Sequence, residues 1–315
     1  MGEGLEFGAL SRPILRGPKA RVFYVDHLDR DGLREKYAAD PRVSVNAIVP
    51  VDIVWANGAL RDAVQASLPG YERWFHYAVA SHVIEHVPDI IRWLAELRSV
   101  LSAGATLRLS ISDRRFTMDI ERRESQLCDA LAAYLHRVRV AQPREIIDFH
   151  HRFKRVDRVE AWRGHVFEPT RPGPSYQTQL GLTYAQGALA GEYHDVHCWV
   201  FTPASFVRLM VELCEFGMIW FECTRLYETA EGELDFLVHL TAATDAEAIV
   251  ESWRQAERAL TRTELGGRWL PQDELAVLRD VARAQAVQIE ALTAQVAERY
   301  SVRGILRRGF GKAKG

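Results

Sequence analysis

Five short apolar runs set what the first 112 residues can fold into: "GLEF" (4–7), "RVFYVDH" (21–27), "AIVPVDIVW" (47–55), "YAVASH" (77–82) and "TLRLSIS" (106–112). Runs this short, ended by polar residues and separated by helical patterns, are strands that pair in parallel through crossover connections. Further on, "FTPASFVRLMVELCEFGM" (201–218) spells an amphipathic helix with Thr202 as N-cap and Pro203 at the first helical position. "IWFECTRLYET" and "ELDFLVHLTA" follow, joined by Ala-Glu-Gly, and read as an antiparallel pair. Five parallel strands and that pair make a seven-stranded α/β sheet, whose ligand belongs beyond the carboxyl ends of the strands.

The rest of the 315 residues divides around that sheet. Residues 1–112 form its first half. Residues 113–192 turn to helices rich in Arg and His, then to "EPTRPGPSYQTQLG", and are too long for a plain loop; a helical cap over the strand ends is expected. Residues 193–243 return to the sheet. Residues 244–300 are helical, and from Leu275 through Leu278, Ala282, Gln285, Ile289, Leu292 and Val296 to Arg299 the spacing alternates between three and four, a short coiled-coil register. A homo-oligomer through 275–299 is expected, since its apolar seam would otherwise face water. The end, 301–315, is basic with interspersed apolar residues.

A formal charge of −2 and a pI near 6.6 argue against a nucleic-acid partner. Cys128, Cys198, Cys214 and Cys223 form no C-x-x-C pair and read as buried free thiols of a reducing compartment. "MGEGLEFGAL" carries no charged leader and no run reaches the length of a membrane span, so a cytoplasmic protein is expected.

His82-Val-Ile-Glu85-His86 spells H-x-x-E-H, the inverted zinc-protease motif, which needs one continuous helix so that both imidazoles face one metal. Pro88 argues against it. Inside such a helix it would remove the bond to the Ile84 carbonyl, at about 3 kcal/mol. As the first residue of a helix running through "DIIRWLAELRSVL" it fits, with Asp89 complementing the positive helix end and His82 closing the preceding strand. No metal site is predicted.

"SHVIEHVPD" followed by "WLAELRSVLSAGATLRLSISD" resembles the fourth and fifth strand region of class I S-adenosylmethionine-dependent methyltransferases. "LEFGAL", "YVDH", "VDIVW" and the late "VFTPASFVRLMVELCEFGM" fall in the order of that family, over roughly 4–112 and 193–241. The resemblance implies a Rossmann-like seven-stranded methyltransferase sheet, with the cap as an insertion and the coiled coil as a C-terminal extension. It places Glu6 and Gly8 at the cofactor's methionine carboxylate, where a glycine lets backbone N–H groups approach. Asp26, with His27 beside it, meets the ribose hydroxyls; Asp52 lies near the adenine amino group; Ser81 and His82 border the methionine part and the transferred methyl. Two departures stand out. Leu10 occupies the place of the family's second glycine, and "SRPILRGPKA" is too short for a full crossover helix; Arg12 is the candidate to pair with the cofactor carboxylate instead.

For the acceptor, methyl transfer needs alignment and, for a hydroxyl, a base. "EYHDVHCWVFTP" supplies His194 and His197 around Asp195, although the alternation of His197, Trp199 and Phe201 also fits a half-buried strand. Asp113, after the fifth strand, is a third candidate, and His150 and His151 line the cap. The basic tail behind a coiled coil resembles the ends of some bacterial proteins that work on surface polysaccharides, which implies a sugar or glycan acceptor and contact of 301–315 with an anionic membrane surface or a glycosyltransferase. O- or N-methylation of a small natural product, or a cofactor-binding assembly module without turnover, are the alternatives. Mg²⁺ is left open, because its oxygen ligands cannot be read from spacing.

Overall fold

In a computed structural model the described residues are 2–16, 21–56, 58–164 and 176–260, together with the backbone of 264–265 and 268–269. Seven strands form one sheet: β1 (Glu3–Phe7), β2 (Arg21–Asp26), β3 (Ile53–Val54), β4 (Phe75–Ser81), β5 (Leu101–Ser112), β6 (Phe221–Tyr227) and β7 (Asp235–Ala242). Their order is β3-β2-β1-β4-β5-β7-β6; β1 to β5 run parallel, while β7 is antiparallel to both β5 and β6. The chain winds outward from β1 through β2 to β3, then restarts on the other side of β1 with β4. A crevice therefore opens beyond the carboxyl ends of β1 and β4, the switch point of an open sheet.

Nine helices flank the sheet among the described residues: α1 (Arg30–Lys36), α2 (Leu60–Ser67), α3 (Ile90–Val100), α4 (Leu127–His136), α5 (Pro143–His151), α6 (Arg158–Trp162), α7 (Tyr176–Leu189), α8 (Pro203–Glu215) and α9 (Ala246–Ala259). Apolar side chains of one sheet face, among them Leu5, Phe7, Leu107, Leu109, Phe236 and Val238, join Ile90, Leu94, Leu97, Phe206 and Trp253 in a single core. On the other face β5 and β7 present Arg108 and His239, paired across the ladder and open to water. That alternation suits the antiparallel half of the sheet, which needs only one covered face.

Several elements differ from the sequence reading. The nine-residue run 47–55 yields only Ile53–Val54 as strand, because Pro50 has no N–H for a ladder and Val49 N–H is drawn to the Leu10 carbonyl at 2.9 Å. Pro88 is not the first residue of α3. Asp89 is its N-cap, accepting from Arg92 N–H at 2.9 Å, and Pro88 stands just ahead of it. His82 has left β4, at φ +52°, and 82–89 is a non-helical turn, so the continuous helix of a zinc protease is not formed. Thr202 caps α8 as read, with Pro203 at N1. Cys128 is exposed on α4, against the expectation of burial, while the other three cysteines are buried; all four are free.

Residues 127–189 contribute α4 to α7, with α5 and α7 packed closely enough that a Cβ at Gly181 would fall 2.9 Å from His150 Cβ. α9 packs on α8 and β6, so 246–259 belong to the sheet unit, which ends at Thr261; the boundary lies there and not at 243. Residues 262–315 form a second unit, in which Glu264–Leu265 pairs antiparallel with Arg268–Trp269. The coiled-coil seam at 275–299 and the basic tail at 301–315 lie outside the described residues. No described helix is long and apolar enough to cross a membrane.

Candidate functional site

The crevice is built first from the end of β1. Glu6 is buried, and its carboxylate accepts from Ile14 N–H at 2.7 Å and Leu15 N–H at 2.9 Å, so one side chain folds the loop after β1 back on its own strand. No helix occurs in 8–16, in keeping with the shortness of this connection. Gly8 sits at φ +64°, and a Cβ there would stand 2.8 Å from Val83 Cγ2, in the turn after β4. The loops of the two central strands touch at this point. Gly8→Ala is expected to cost about 1–2 kcal/mol from the left-handed backbone alone, with the Val83 contact adding to it; urea unfolding reads the loss, and an unchanged midpoint would refute the argument. Leu10, in the place of a second glycine, is also left-handed at φ +45°. Arg12 is exposed, and its guanidinium meets no partner among the described residues.

At the end of β2, Asp26 Oδ1 lies 2.6 Å from His27 Nδ1, and Oδ2 has no partner among the described residues. His27 Nε2 is 3.2 Å from Lys36 Nζ, and its ring stacks on Tyr193 with centroids 5.0 Å apart. Beside Asp26 runs a crease too tight for a water molecule, lined mainly by Leu10, Tyr24, Leu33, Ile48 and Val49. Asp52 does not stand after β3. It precedes that strand, and its Oδ2 accepts from Tyr24 N–H at 2.8 Å, two residues short of the strand end. The shortness of β3 displaces it.

The opposite wall is the turn after β4 together with 193–199. The Glu85 carbonyl accepts from Cys198 N–H at 2.7 Å, and Trp199 Nε1–H donates to the Val87 carbonyl at 2.6 Å. This holds His86 and His197 ring edge to ring face, centroids 4.7 Å apart. His197 is buried and its Nδ1 lies 2.5 Å from Asp119 Oδ2, while Asp119 is held by Arg122 at 2.8 Å. Burial alone would lower the proton affinity of His197, but the bond to Asp119 and the charges of Asp119 and Glu85 outweigh it, so its pKa is raised. Nδ1–H bound to a carboxylate leaves Nε2 as the basic nitrogen. On the other side, Asp195 lies 2.8 Å from His86 Nδ1 and 3.4 Å from Lys36 Nζ, and accepts from the hydroxyls of Tyr37 and Tyr193. Although burial opposes it, this cationic company holds Asp195 well below the usual carboxylate range.

Two catalytic candidates from the sequence are placed elsewhere. Asp113 is fully buried; its oxygens take Arg115 in a bidentate pair and Thr229 Oγ1–H at 2.6 Å, so it fixes the turn after β5 and cannot serve an acceptor. His194 turns into the cap, stacking on Tyr184 at 4.7 Å. Ser81 and His82 do lie at the end of β4, with His82 Nδ1 3.0 Å from Ser112 Oγ. Asp119, Asp195, Glu85 and Lys36 are the site residues that sequence reasoning missed. Among the described residues no group of three or more His, Cys, Asp or Glu side chains is placed to hold a metal ion.

No protein-family model matches the chain, and no curated protein matches it. Solved structures do. The CcbJ methyltransferase from Streptomyces caelestis is 20% identical over 36% of this chain and 48% of its own, with a TM-score of 0.23. The CurJ carbon methyltransferase is 12% identical over 77% and 49%, at 0.35. A SAM-dependent methyltransferase from Methanosarcina mazei is 17% identical over 78% and 93%, at 0.32. The chain thus spans about half the length of the first two. Likenesses this low assign no chemistry.

Proposed function

We propose that this protein is an S-adenosylmethionine-dependent methyltransferase that methylates a hydroxyl oxygen of a sugar or glycan. The observation that supports this best is a buried His197–Asp119 pair beside the strand ends that carry Gly8, Asp26 and His82; Glu6, whose two oxygens are taken by the loop after β1, shapes that loop and does not face the cofactor. The residues suit the cofactor in chemical kind. The Oδ2 of Asp26, without a partner among the described residues, is an acceptor for ribose hydroxyls, and Gly8 keeps backbone accessible where the methionine end would lie. When bound, the cofactor supplies an electrophilic methyl on a sulfonium sulfur. His197 Nε2 would take up the proton of an acceptor hydroxyl, with the methyl's former bonding pair left on the cofactor sulfur as a neutral thioether, and Asp119 would hold the ring in the right tautomer and stabilise the imidazolium. Half-exposed Tyr193, one face of which is taken by His27, offers its remaining apolar surface to a polyhydroxylated ring. Self-association through 275–299 and docking of the tail 301–315 to an anionic membrane surface or a glycosyltransferase belong to the same proposal.

Calorimetry with S-adenosylmethionine and its demethylated product tests the reading, and absence of saturable binding by the folded protein would end it. Asp26→Ala is expected to weaken binding by about 1.5–3 kcal/mol, the worth of a hydrogen bond to a charged group. Full affinity in that variant would reject the ribose contact.

A further inference from the structure

Glu85 has entered so far only as one of the charges acting on His197, and its surroundings are unusual. It is 1% exposed, in the turn that carries His82 and His86. Oε1 accepts from Ser112 N–H at 2.5 Å and lies 3.5 Å from His82 Nδ1; Oε2 is buried and meets no donor among the described residues. A buried carboxylate with one oxygen lacking a hydrogen bond is costly unless positive charge stands close by. The bases that supply it are imidazoles. His82 is in the same turn, His86 follows directly, and His197 is brought alongside by the bonds from Cys198 and Trp199 to the Glu85 carbonyl.

We propose that Glu85 is the shared counter-anion of His82 and His197, a positioning residue that sets how readily both rings carry a proton. The other charges around these rings are Asp235, 3.9 Å from His82 Nε2; Asp119 and Arg122 on the far side of His197; and Asp195 on His86. Burial lowers the proton affinity of His82, but Glu85 and then Asp235 reverse it, so its pKa is raised. Glu85 in turn, although burial opposes ionisation, is held well below the usual carboxylate range by His82, His197 and His86. For turnover the inference rests on His197 being the base of the proposed methyl transfer: a counter-anion within the protein stabilises the imidazolium at the moment the acceptor's proton arrives. The charge arrangement itself needs no acceptor.

The test is an imidazole titration by nitrogen-detected NMR on the full-length protein and its Glu85→Gln variant, which keeps the acceptor for Ser112 N–H and removes the charge. Resonances are assigned with His82→Asn and His197→Asn. The midpoints of His82 and His197 are expected to fall together by about one pH unit, a tenfold loss of proton affinity, while His239, on the open sheet face, stays put. Unmoved midpoints in a folded variant overturn the proposal. If Glu85→Gln does not fold, the wild-type and Asp119→Asn titrations decide: a His82 or His197 midpoint at or below about 6.5 in the wild type overturns the proposal, and a His197 midpoint that stays above it in Asp119→Asn, with that of His82 unmoved, supports the shared anion. Calorimetry with S-adenosylmethionine on the same samples keeps the two readings apart. Loss of cofactor binding in the wild type removes the methyltransferase reading and leaves the titration standing, whereas unmoved midpoints with normal binding remove only the role of Glu85.

Discussion

His197→Ala is expected to lower methyl transfer by about 10²- to 10⁴-fold while leaving affinity for S-adenosylmethionine nearly unchanged, because the lost imidazole acts on the acceptor and not on the cofactor. The pH profile carries a finer signature. His197 must be neutral to take a proton, and Asp119 with Glu85 raises its pKa, so kcat/KM should fall on the acid side with a midpoint above the ordinary histidine value of about 6.5. Asp119→Asn removes the largest raising contribution and should move that midpoint to lower pH. Screening labelled methyl transfer onto nucleotide sugars, deoxysugar-containing glycans and small phenols supplies the acceptor for these measurements. A folded His197→Ala with near-normal turnover would eliminate His197 as the base, and Asp195 beside His86 would then be the group to test.

The sheet was legible because each strand announces itself within a few residues: an apolar run, a polar end, a helix start. Thr202-Pro203 is a local signal of the same kind, and the structure keeps it. Failures came where a local spelling has two tertiary outcomes. "VPVDIV" is apolar enough for a strand, but the Val49 N–H goes to the loop after β1, the strand shortens, and Asp52 falls ahead of it. Asp113 follows β5 directly and Asp26 is the last residue of β2. The first is followed two residues later by an arginine that folds back on it, the second by a histidine that takes one oxygen only. The partner of His197 was beyond reach of spacing, since Asp119 lies 78 residues earlier and is delivered by the cap. Asp195 was visible only as a residue between two histidines; its ties to Lys36 and Tyr37 in and after α1 exist only once the segment 193–197 crosses the end of β2.

The largest stability effect expected is at Trp253, and it follows from the same shift of boundary that takes α9 into the sheet unit. Trp253 is fully buried, lies 6.0 Å from Phe206 ring to ring, and donates its Nε1–H to the Phe221 carbonyl at 2.9 Å. Phe206 in turn touches Phe201 and Phe236, so the indole closes an aromatic cluster that runs from β7 through α8 to α9. β6 is an edge strand with a bulge between Cys223 and Arg225, and among the described residues its ladder to β7 is its only strand pairing. Packing by α9 is what keeps such an edge in place. Trp253→Ala should therefore destabilise the protein by about 3–5 kcal/mol, through the cavity and the lost contacts. Trp253→Phe, which keeps a six-membered ring but loses the rest of the indole together with the donor to Phe221, should cost less, about 1–3 kcal/mol. Urea unfolding followed by far-ultraviolet circular dichroism measures both without relying on the indole's own fluorescence. If the alanine variant loses less than the phenylalanine variant, or both stay within the error of the wild type, α9 is a passenger on the sheet and the unit ends at β7.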